Sequence, residues 1–299
     1  MLRDRILEDV FTALDRWAGK RARQARRLIM PLAWPSAHQF AKLFAGLDSE
    51  IAQRGIAQAM QGLLPRFARS VEVRGAEQVP AEGPLLVLAN HPGTFDSVVV
   101  AASLGRDDLQ IVALGWPVFR HLPSLSNHLI FTSMNPGQQI SAVRDVIRRL
   151  QAGAALLVFP TADLDPDPDV QPGAEEALSA WSRSFELFLR KVPETQVLVA
   201  VVSGVVSPKI LRHPLARLPR TQKGQRTVAE LLQMGRHVLL PWDLGLAPRI
   251  SFGQALNLHQ LGSGDDASDS LRGNVIEQAR ALLAAHMNLP RTGAGARPG

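Results

Sequence analysis

The chain has 299 residues and no cysteine, so disulfide bonds and thiolate metal sites are excluded. Its hydrophobic fraction of 46% is enough for a sizeable core, in one large domain or two small ones. The formal net charge of +6 favours anionic partners such as nucleic acid, anionic lipid or phosphorylated substrates. We expect neither a secretion signal nor a spanning helix, because no stretch approaches the roughly 18 uninterrupted apolar residues of a membrane span.

Residues 1–70 are predicted to form an N-terminal amphipathic helical region. Apolar residues recur at helical spacing from Leu2 to Trp17, and a second helical pattern runs from about Ser36 to Phe67. The segment from Arg16 to Arg27 contains basic residues and no acidic residue. Such helices either lie in a membrane interface or cap the main core, and the sequence leaves both roles open.

From Val71 onward, short apolar strands alternate with helices. The predicted strands are VEVRG, LLVLA, LQIVAL, LIFTS, ALLVF, QVLVAVV and RISFG, and the predicted helices cover residues 95–104, 138–152, 174–191, 226–236 and 270–287. This alternation is typical of an α/β fold with a mostly parallel mixed sheet covered by helices on both faces. Residues 71–290 are predicted to form this domain, and residues 291–299 a disordered tail.

The segment 160–173, PTADLDPDPDVQPG, is rich in aspartate and proline. Its closely spaced prolines exclude a helix, and its acids lack the glycine and glutamate positions of a calcium-binding EF-hand loop. We interpret it as a solvated acidic loop. Because the histidines also lack metal-ligand spacing, we expect no metal.

The residues most suited to chemistry follow the strand LLVLA. Pro92 and Gly93 break the backbone after His91, and Asp96 begins the next helix, with Thr94 as its predicted N-cap. A turn at this point brings the imidazole against the carboxylate. The carboxylate then fixes the tautomer of the ring, and the other ring nitrogen becomes a general base.

The segment NHPGTFD resembles the His-x-x-x-x-Asp signature of the glycerolipid acyltransferases, the 1-acylglycerol-3-phosphate and glycerol-3-phosphate type. LLVFP with Pro160, VLVAVVSGVVSP and RISFGQALNL resemble later motifs of that family, so the resemblance covers about residues 71–260. It implies that His91 is the general base and Asp96 its partner. The implied donor is acyl-CoA or acyl carrier protein, the implied acceptor is glycerol-3-phosphate, a lysophospholipid or a related lipid, and no cofactor is needed.

Two positions depart from the family pattern. Met134 stands where the family usually has an arginine, and Thr161 follows Pro160 where a glutamate is usual. Both features help to bind the acceptor in the family, typically through its phosphate. Three explanations stay open: another cation binds the phosphate, the acceptor has no phosphate at that place, or the protein does not catalyse the reaction. The candidate cations are Arg120, Arg144, Lys209, Arg212 and His213.

The sequence therefore predicts a peripheral acyltransferase at the cytoplasmic face of a membrane. Its predicted substrate-binding residues are Gly93, Thr94, Phe95, Pro160, Thr161, Lys209 and Arg212. The alternative is a catalytically silent lipid-binding paralogue of the same fold. Only the positive charge points to a nucleic-acid-binding role. Because no aromatic stacking platform or motif for reading bases accompanies that charge, we expect no nucleic-acid partner.

Overall fold

The computed structural model describes most of the chain. The described residues are Asp4, 20–115, 117–132, 136–239, 244–262 and 267–289, of which 20–37, 117, 136, 239 and 267–270 are described by their backbone alone. The predictions for the segment from Leu2 to Trp17 (Asp4 apart), for Met134 and for the tail 291–299 lie outside these residues.

The described residues form one seven-stranded sheet with the strand order β1-β7-β6-β2-β5-β3-β4. Among the described strands, the pair β6–β7 is antiparallel and the other neighbours are parallel. The predicted mostly parallel mixed sheet is thus confirmed. The strands are β1 (Glu72–Arg74), β2 (Leu85–Ala89), β3 (Gln110–Leu114), β4 (Leu129–Thr132), β5 (Ala155–Val158), β6 (Gln196–Ser203) and β7 (Arg249–Phe252).

Helices connect the strands and cover both faces of the sheet. In chain order they are α1 (Lys20–Leu63), α2 (Asp96–Leu104), α3 (Pro123–Ser126), α4 (Pro136–Gln151), α5 (Ala174–Leu178), α6 (Ser184–Lys191), α7 (Pro208–Leu211), α8 (Gln222–Leu239) and α9 (Ala267–Asn288). Short 3₁₀ turns span Leu64–Arg66, Ala76–Gln78, Pro117–His121 and Pro214–Arg217.

The prediction of one helix over residues 174–191 is wrong, because two helices occupy this segment. The chain leaves the helical path after Leu178, and the Ser182 amide donates to the carbonyl oxygen of Pro160 at 3.0 Å. That amide is then unavailable for the hydrogen bond to Leu178 that a continuous helix requires. Trp181, which is fully buried, packs into the core at this break.

The central strand β2 is buried along its whole length, which explains its uninterrupted apolar run. Leu85 and Val87 belong to the hydrophobic cluster that contains residues of α1 and α2. Leu86 and Leu88 belong to the cluster on the other face, with residues of α4, α6 and α9. Alternate side chains of one strand therefore hold both helical layers, as the pleat of a strand requires.

The helix α1 is interrupted at Gly55, where φ is 81° and ψ is 166°. The amide of Ala57 donates to Asp107 Oδ1 at 3.0 Å, which gives the second half of the helix a start of its own. Ile56 and Met60 in that half are buried in the cluster that holds β2. The second half of α1 thus caps the core, one of the two roles that the sequence left open.

We expect Gly55→Ala to destabilise the fold. The backbone conformation at Gly55 costs other residues about 1–3 kcal/mol, and an added Cβ would lie 2.3 Å from Asp107 Oδ1. The matched control is Gly62→Ala in the same helix, where a Cβ meets no atom within 4 Å and the expected gain is about 0.5–1 kcal/mol. Chemical denaturation measures both, and equal effects of the two substitutions would contradict the role given to Gly55.

Candidate active site

The carboxyl ends of β5, β2 and β6 lie side by side at one edge of the sheet. Asn90 follows β2, and its side chain bonds the backbone of β6: Nδ2 donates to the Val202 carbonyl at 2.9 Å, and the Val202 amide donates to Oδ1 at 2.7 Å. The Asn90 side chain thus forms the hydrogen bonds to β6 that the backbone of β2 would otherwise form. The main chain therefore leaves the sheet at this point and enters the turn that begins at His91. Ligands of open α/β sheets bind in crevices at this edge.

His91 and Asp96 contact each other across the turn, as the sequence predicted. Asp96 Oδ2 lies 2.8 Å from His91 Nδ1 and also accepts the Gly93 amide at 3.2 Å. Because a carboxylate is the acceptor, Nδ1 carries a proton, and in the neutral ring Nε2 keeps its lone pair. Asp96 is fully buried, whereas the His91 side chain is 26% exposed. Among the described residues, none forms a hydrogen bond with Nε2.

The prediction that Thr94 is the N-cap of α2 is wrong. Phe95 occupies the cap position, without a side-chain capping bond, and the Thr94 amide donates to Oε1 of Glu230 at 2.7 Å. The amides of Gly93 and Thr94 are therefore already bonded to carboxylates of Asp96 and Glu230. A substrate oxyanion would have to displace those carboxylates to reach these two amides.

The chain that follows β5 holds His91 from the other side. The imidazole stacks on the ring of Phe159, with 4.3 Å between centroids and an interplanar angle of 22°. The His91 amide donates to Asp165 Oδ2 at 2.8 Å, and the Asp165 amide donates to the His91 carbonyl at 2.7 Å. Thr161 Oγ1 donates to the same Asp165 oxygen at 3.3 Å. Backbone and ring of His91 are thus both fixed.

The prediction of a solvated acidic loop at residues 160–173 is also wrong, because Asp165 and Asp167 are buried. Asp167 accepts amide hydrogens from Asp169 and Gly204 on Oδ1 and from Val206 on Oδ2, at 2.9–3.0 Å. These amides replace the water that a buried carboxylate loses. The loop is therefore tied to the chain that follows β6.

Asp169 anchors the next part of the loop to the two antiparallel strands. Its Oδ1 pairs with Arg249 Nη2 at 2.6 Å, and its Oδ2 accepts the Ser203 hydroxyl at 2.9 Å. The side chain of His286 lies between Ser203 and Ser251. Its Nε2 is 2.8 Å from the Ser203 hydroxyl oxygen, and its Nδ1 is 2.8 Å from the Ser251 hydroxyl oxygen. This network is buried, and it fixes the acidic loop relative to β6 and β7.

The structure places the predicted cations away from these contacts. Lys209 in α7 and Arg212 just after it are exposed, and no hydrogen bond or ion pair among the described residues joins either of them to the groups around His91. His213 instead caps the 3₁₀ turn that follows it. Pro160 is buried and accepts the Ser182 amide. Of the predicted binding residues, Gly93, Thr94 and Thr161 belong to the network around His91.

The charges around His91 are mutually dependent. Burial alone would lower the pKa of His91, but Asp96 above all, with Asp165 and Glu230, raises it above its ordinary value. Burial raises the pKa of Asp165 to about 6, against the opposing effect of the bond from the His91 amide. Burial also raises the pKa of Glu230, although its bond to Thr94 acts in the other direction. This environment favours the protonated imidazole and disfavours further negative charge.

Three residues of this site were not identified from the sequence: Phe159, Asp165 and Glu230. Phe159 was named only as part of a strand motif, and Asp165 was assigned to a solvated loop. Glu230 is separated from Thr94 by 136 residues and lies in an amphipathic helix without a motif. No local pattern in the sequence marks Asp165, because its partner His91 lies 74 residues earlier in the chain.

The fold and the paired His91 and Asp96 define an α/β protein with a histidine–aspartate pair at the carboxyl edge of its sheet. Residues 70–181 match the family model described as Acyltransferase. This segment carries His91, Asp96, Phe159 and Asp165, and the match supports acyl transfer as the reaction class. The resemblance to acyltransferases predicted from the motifs is confirmed.

Among solved structures, the 1-acyl-sn-glycerophosphate (LPA) acyltransferase PlsC from Thermotoga maritima is similar to this chain. The TM-score is 0.46 and the sequence identity 14%, with 84% of this chain and 97% of that chain covered. No curated protein sequence matches the chain.

The raised pKa of Asp165 predicts a pH-dependent difference in stability between the protein and Asp165→Asn. A raised folded-state pKa favours the protonated carboxyl, so the contribution of Asp165 is present below its ordinary value of 3.8 and is lost as the pH rises through about 6. We therefore expect the free energy of unfolding of the protein to fall, relative to Asp165→Asn, by up to about 3 kcal/mol between about pH 4 and pH 7.

Chemical denaturation at a series of pH values measures this difference. Asp163→Asn, which removes a half-exposed carboxylate from the same loop, is the matched control for the change in charge. A difference between the protein and Asp165→Asn that stays constant with pH would contradict the assignment.

Proposed function

We propose that this protein transfers a fatty acyl group from an acyl thioester to a hydroxyl group of a lipid acceptor. The donor is acyl-CoA or acyl carrier protein, and the acceptor is glycerol-3-phosphate, a lysophospholipid or a related lipid. The observation that carries this proposal is the 2.8 Å contact between His91 Nδ1 and Asp96 Oδ2, which leaves Nε2 available within the segment that matches the acyltransferase family.

In the proposed reaction, His91 Nε2 takes the proton of the acceptor hydroxyl while its oxygen attacks the thioester carbonyl. Asp96 stabilises the imidazolium that forms, through the bond to Nδ1–H. The tetrahedral intermediate then collapses, the carbon–sulfur bond breaks, and the thiolate receives the proton from Nε2. The products are an ester and a free thiol, and the imidazole returns to its neutral form.

The surroundings of His91 support this role. Stacking on Phe159 and the bonds from Asp165 fix the ring before any substrate arrives, which lowers the entropy cost of the reaction. Because the neighbouring carboxylates raise the pKa of His91, Nε2 is a stronger base than an ordinary imidazole nitrogen, which favours removal of the hydroxyl proton. We further propose that Thr94, Phe95 and Thr161, which lie beside the His91–Asp96 pair in sequence or in space, contact the substrates.

We expect His91→Ala to remove thioester-dependent acyl transfer, a loss of about 10²–10⁴-fold or more, while the fold is retained. In Asp96→Asn, we also expect the acidic limb of the pH–rate profile to move to lower pH, since the carboxylate raises the pKa of His91. Release of free thiol from acyl-CoA in the presence of acceptor measures the rate. The control is His121→Ala, which changes an exposed histidine outside the site.

Wild-type-like turnover by His91→Ala would overturn the assignment of the base. If no acceptor supports thiol release by the wild-type protein and lipids nevertheless bind, the protein is the catalytically silent paralogue instead.

We also propose that the protein acts as a peripheral protein on the cytoplasmic face of a membrane. In the described part of the chain, none of the helices is long and apolar enough to cross a membrane. The segment between β6 and α8 supports surface binding: it has no acidic residue and exposes Leu215 and Leu218, the latter at 72%. Its exposed cations are Lys209, Arg212, Arg217 and Arg220. Apolar side chains among cations suit an interface with anionic lipid.

Leu218→Asp should weaken binding to vesicles that contain anionic lipid by about tenfold or more, because burial of a leucine contributes about 1.5–3 kcal/mol. Vesicle co-sedimentation measures this effect. Leu187→Asp is the matched control, since Leu187 is exposed on α6, whose buried side chains pack on the other face of the sheet. Equal effects of the two substitutions would contradict the assignment of the membrane-binding surface.

A further inference from the structure

Three carboxylates surround the catalytic imidazole, and we refer to them as the carboxylate triad: Asp96, Asp165 and Glu230. Asp96 bonds the ring, Asp165 bonds the backbone of the same residue, and Glu230 bonds the amide of Thr94 three residues later. All three are buried. These hydrogen bonds place all three beside the turn that carries the ring, and their charges raise the pKa of His91, Asp96 most of all.

Glu230 is the member of the triad that the proposed proton transfer does not use. It comes from α8, and its Oε1 accepts the Thr94 amide at 2.7 Å. A Cβ added to Gly93 would lie 3.0 Å from its Oε2, so the glycine permits this close approach. Among the described residues, Glu230 forms no ion pair. A buried carboxylate without a cation is costly, and glutamine would accept the same amide hydrogen without the charge.

Two cations that precede Glu230 in α8 contact the acidic loop. Lys223 Nζ pairs with Asp163 Oδ2 at 2.6 Å, and Arg226 Nη1 donates to the Leu164 carbonyl at 3.2 Å. Neither forms a hydrogen bond or an ion pair with a member of the triad among the described residues. The side chains that form hydrogen bonds with His91, Gly93 and Thr94 are instead the carboxylates of the triad, and carboxylates attract cations and repel anions.

We propose that the lipid acceptor carries no anionic group beside the hydroxyl that is acylated, and that Glu230 is the specificity-determining residue that excludes such groups. This inference rests on the proposed acyl transfer and names its acceptor class: an uncharged glycerolipid alcohol with the chemistry of a monoacylglycerol. A phosphate next to the reacting hydroxyl would have to approach the carboxylate triad. The thioester end of the donor is uncharged, so the triad does not oppose its entry.

The positions of the amides support the same conclusion. The Gly93 and Thr94 amides would be natural donors to a phosphate, but they are bonded to Asp96 and Glu230. A phosphate would have to break these bonds and would then lie beside the displaced carboxylates. An uncharged alcohol leaves both bonds intact and needs only the lone pair of Nε2.

The test compares two acceptors that differ by one phosphate, 1-acylglycerol and 1-acylglycerol-3-phosphate, with free-thiol release from acyl-CoA as the readout. We expect the wild-type protein to favour the uncharged acceptor in kcat/KM by about 100-fold, the order expected for buried charges at close range. In Glu230→Gln the bond to Thr94 is retained and one charge is removed, so this preference should narrow by about tenfold.

A merely structural role of Glu230 would lower kcat/KM for both acceptors by the same factor and leave their ratio unchanged, which would overturn its assignment. Glu186→Gln is the matched control, since Glu186 is a buried glutamate on α6, whose neighbours pack on the other face of the sheet. We expect it to leave the ratio unchanged.

Two further outcomes distinguish the possible failures. A wild-type preference for the phosphate-bearing acceptor, with Arg226→Ala raising KM for that acceptor alone, would overturn the inference and identify Arg226 as a phosphate ligand. If neither acceptor nor any other lipid alcohol supports thiol release, the proposed acyl transfer itself fails and the inference fails with it. His91→Ala supplies the background rate for both comparisons.

Discussion

The site depends on the turn between β2 and α2, which brings two side chains five residues apart into contact. Pro92 and Gly93 deny this segment a regular helix, and Asn90 ends the pairing of β2 by bonding β6 through its side chain. The Asp96 carboxylate then accepts from the ring and from the Gly93 amide, so one buried group closes the turn and selects the tautomer. Local geometry and the state of the base are thus fixed by the same interaction.

That turn is stabilised by chain segments that are distant in sequence. The acidic loop after β5 exchanges two hydrogen bonds with the His91 backbone. Helix α8 contributes Glu230, which accepts the amide hydrogen of Thr94. Both supports use buried carboxylates, which are costly unless backbone amides replace their water. In the acidic loop, the buried carboxylate of Asp167 accepts hydrogen bonds from three backbone amides, which replace its water. The stability of the loop and the position of the imidazole are therefore linked.

Negative charge has two effects in this arrangement. It favours the imidazolium that forms when the base takes a proton, and it opposes any anion that approaches the same nitrogen. An acidic surrounding therefore suits a base that acts on uncharged alcohols. Exposed cations with neighbouring leucines occupy a different place, the segment between β6 and α8. The net charge of +6 thus does not describe the potential at the site.

The sequence by itself determined the alternation of strands and helices, the buried central strand and the meeting of His91 with Asp96. Each of these follows from local patterns: a run of apolar residues, proline and glycine after a strand, and a carboxylate in the first helical turn. What the sequence did not determine was the burial of Asp165 and Asp167, the break after Leu178 and the role of Glu230. Tertiary structure decided these, because the amides and carbonyls that bond these groups come from segments far away along the chain, and no local pattern specifies such partners.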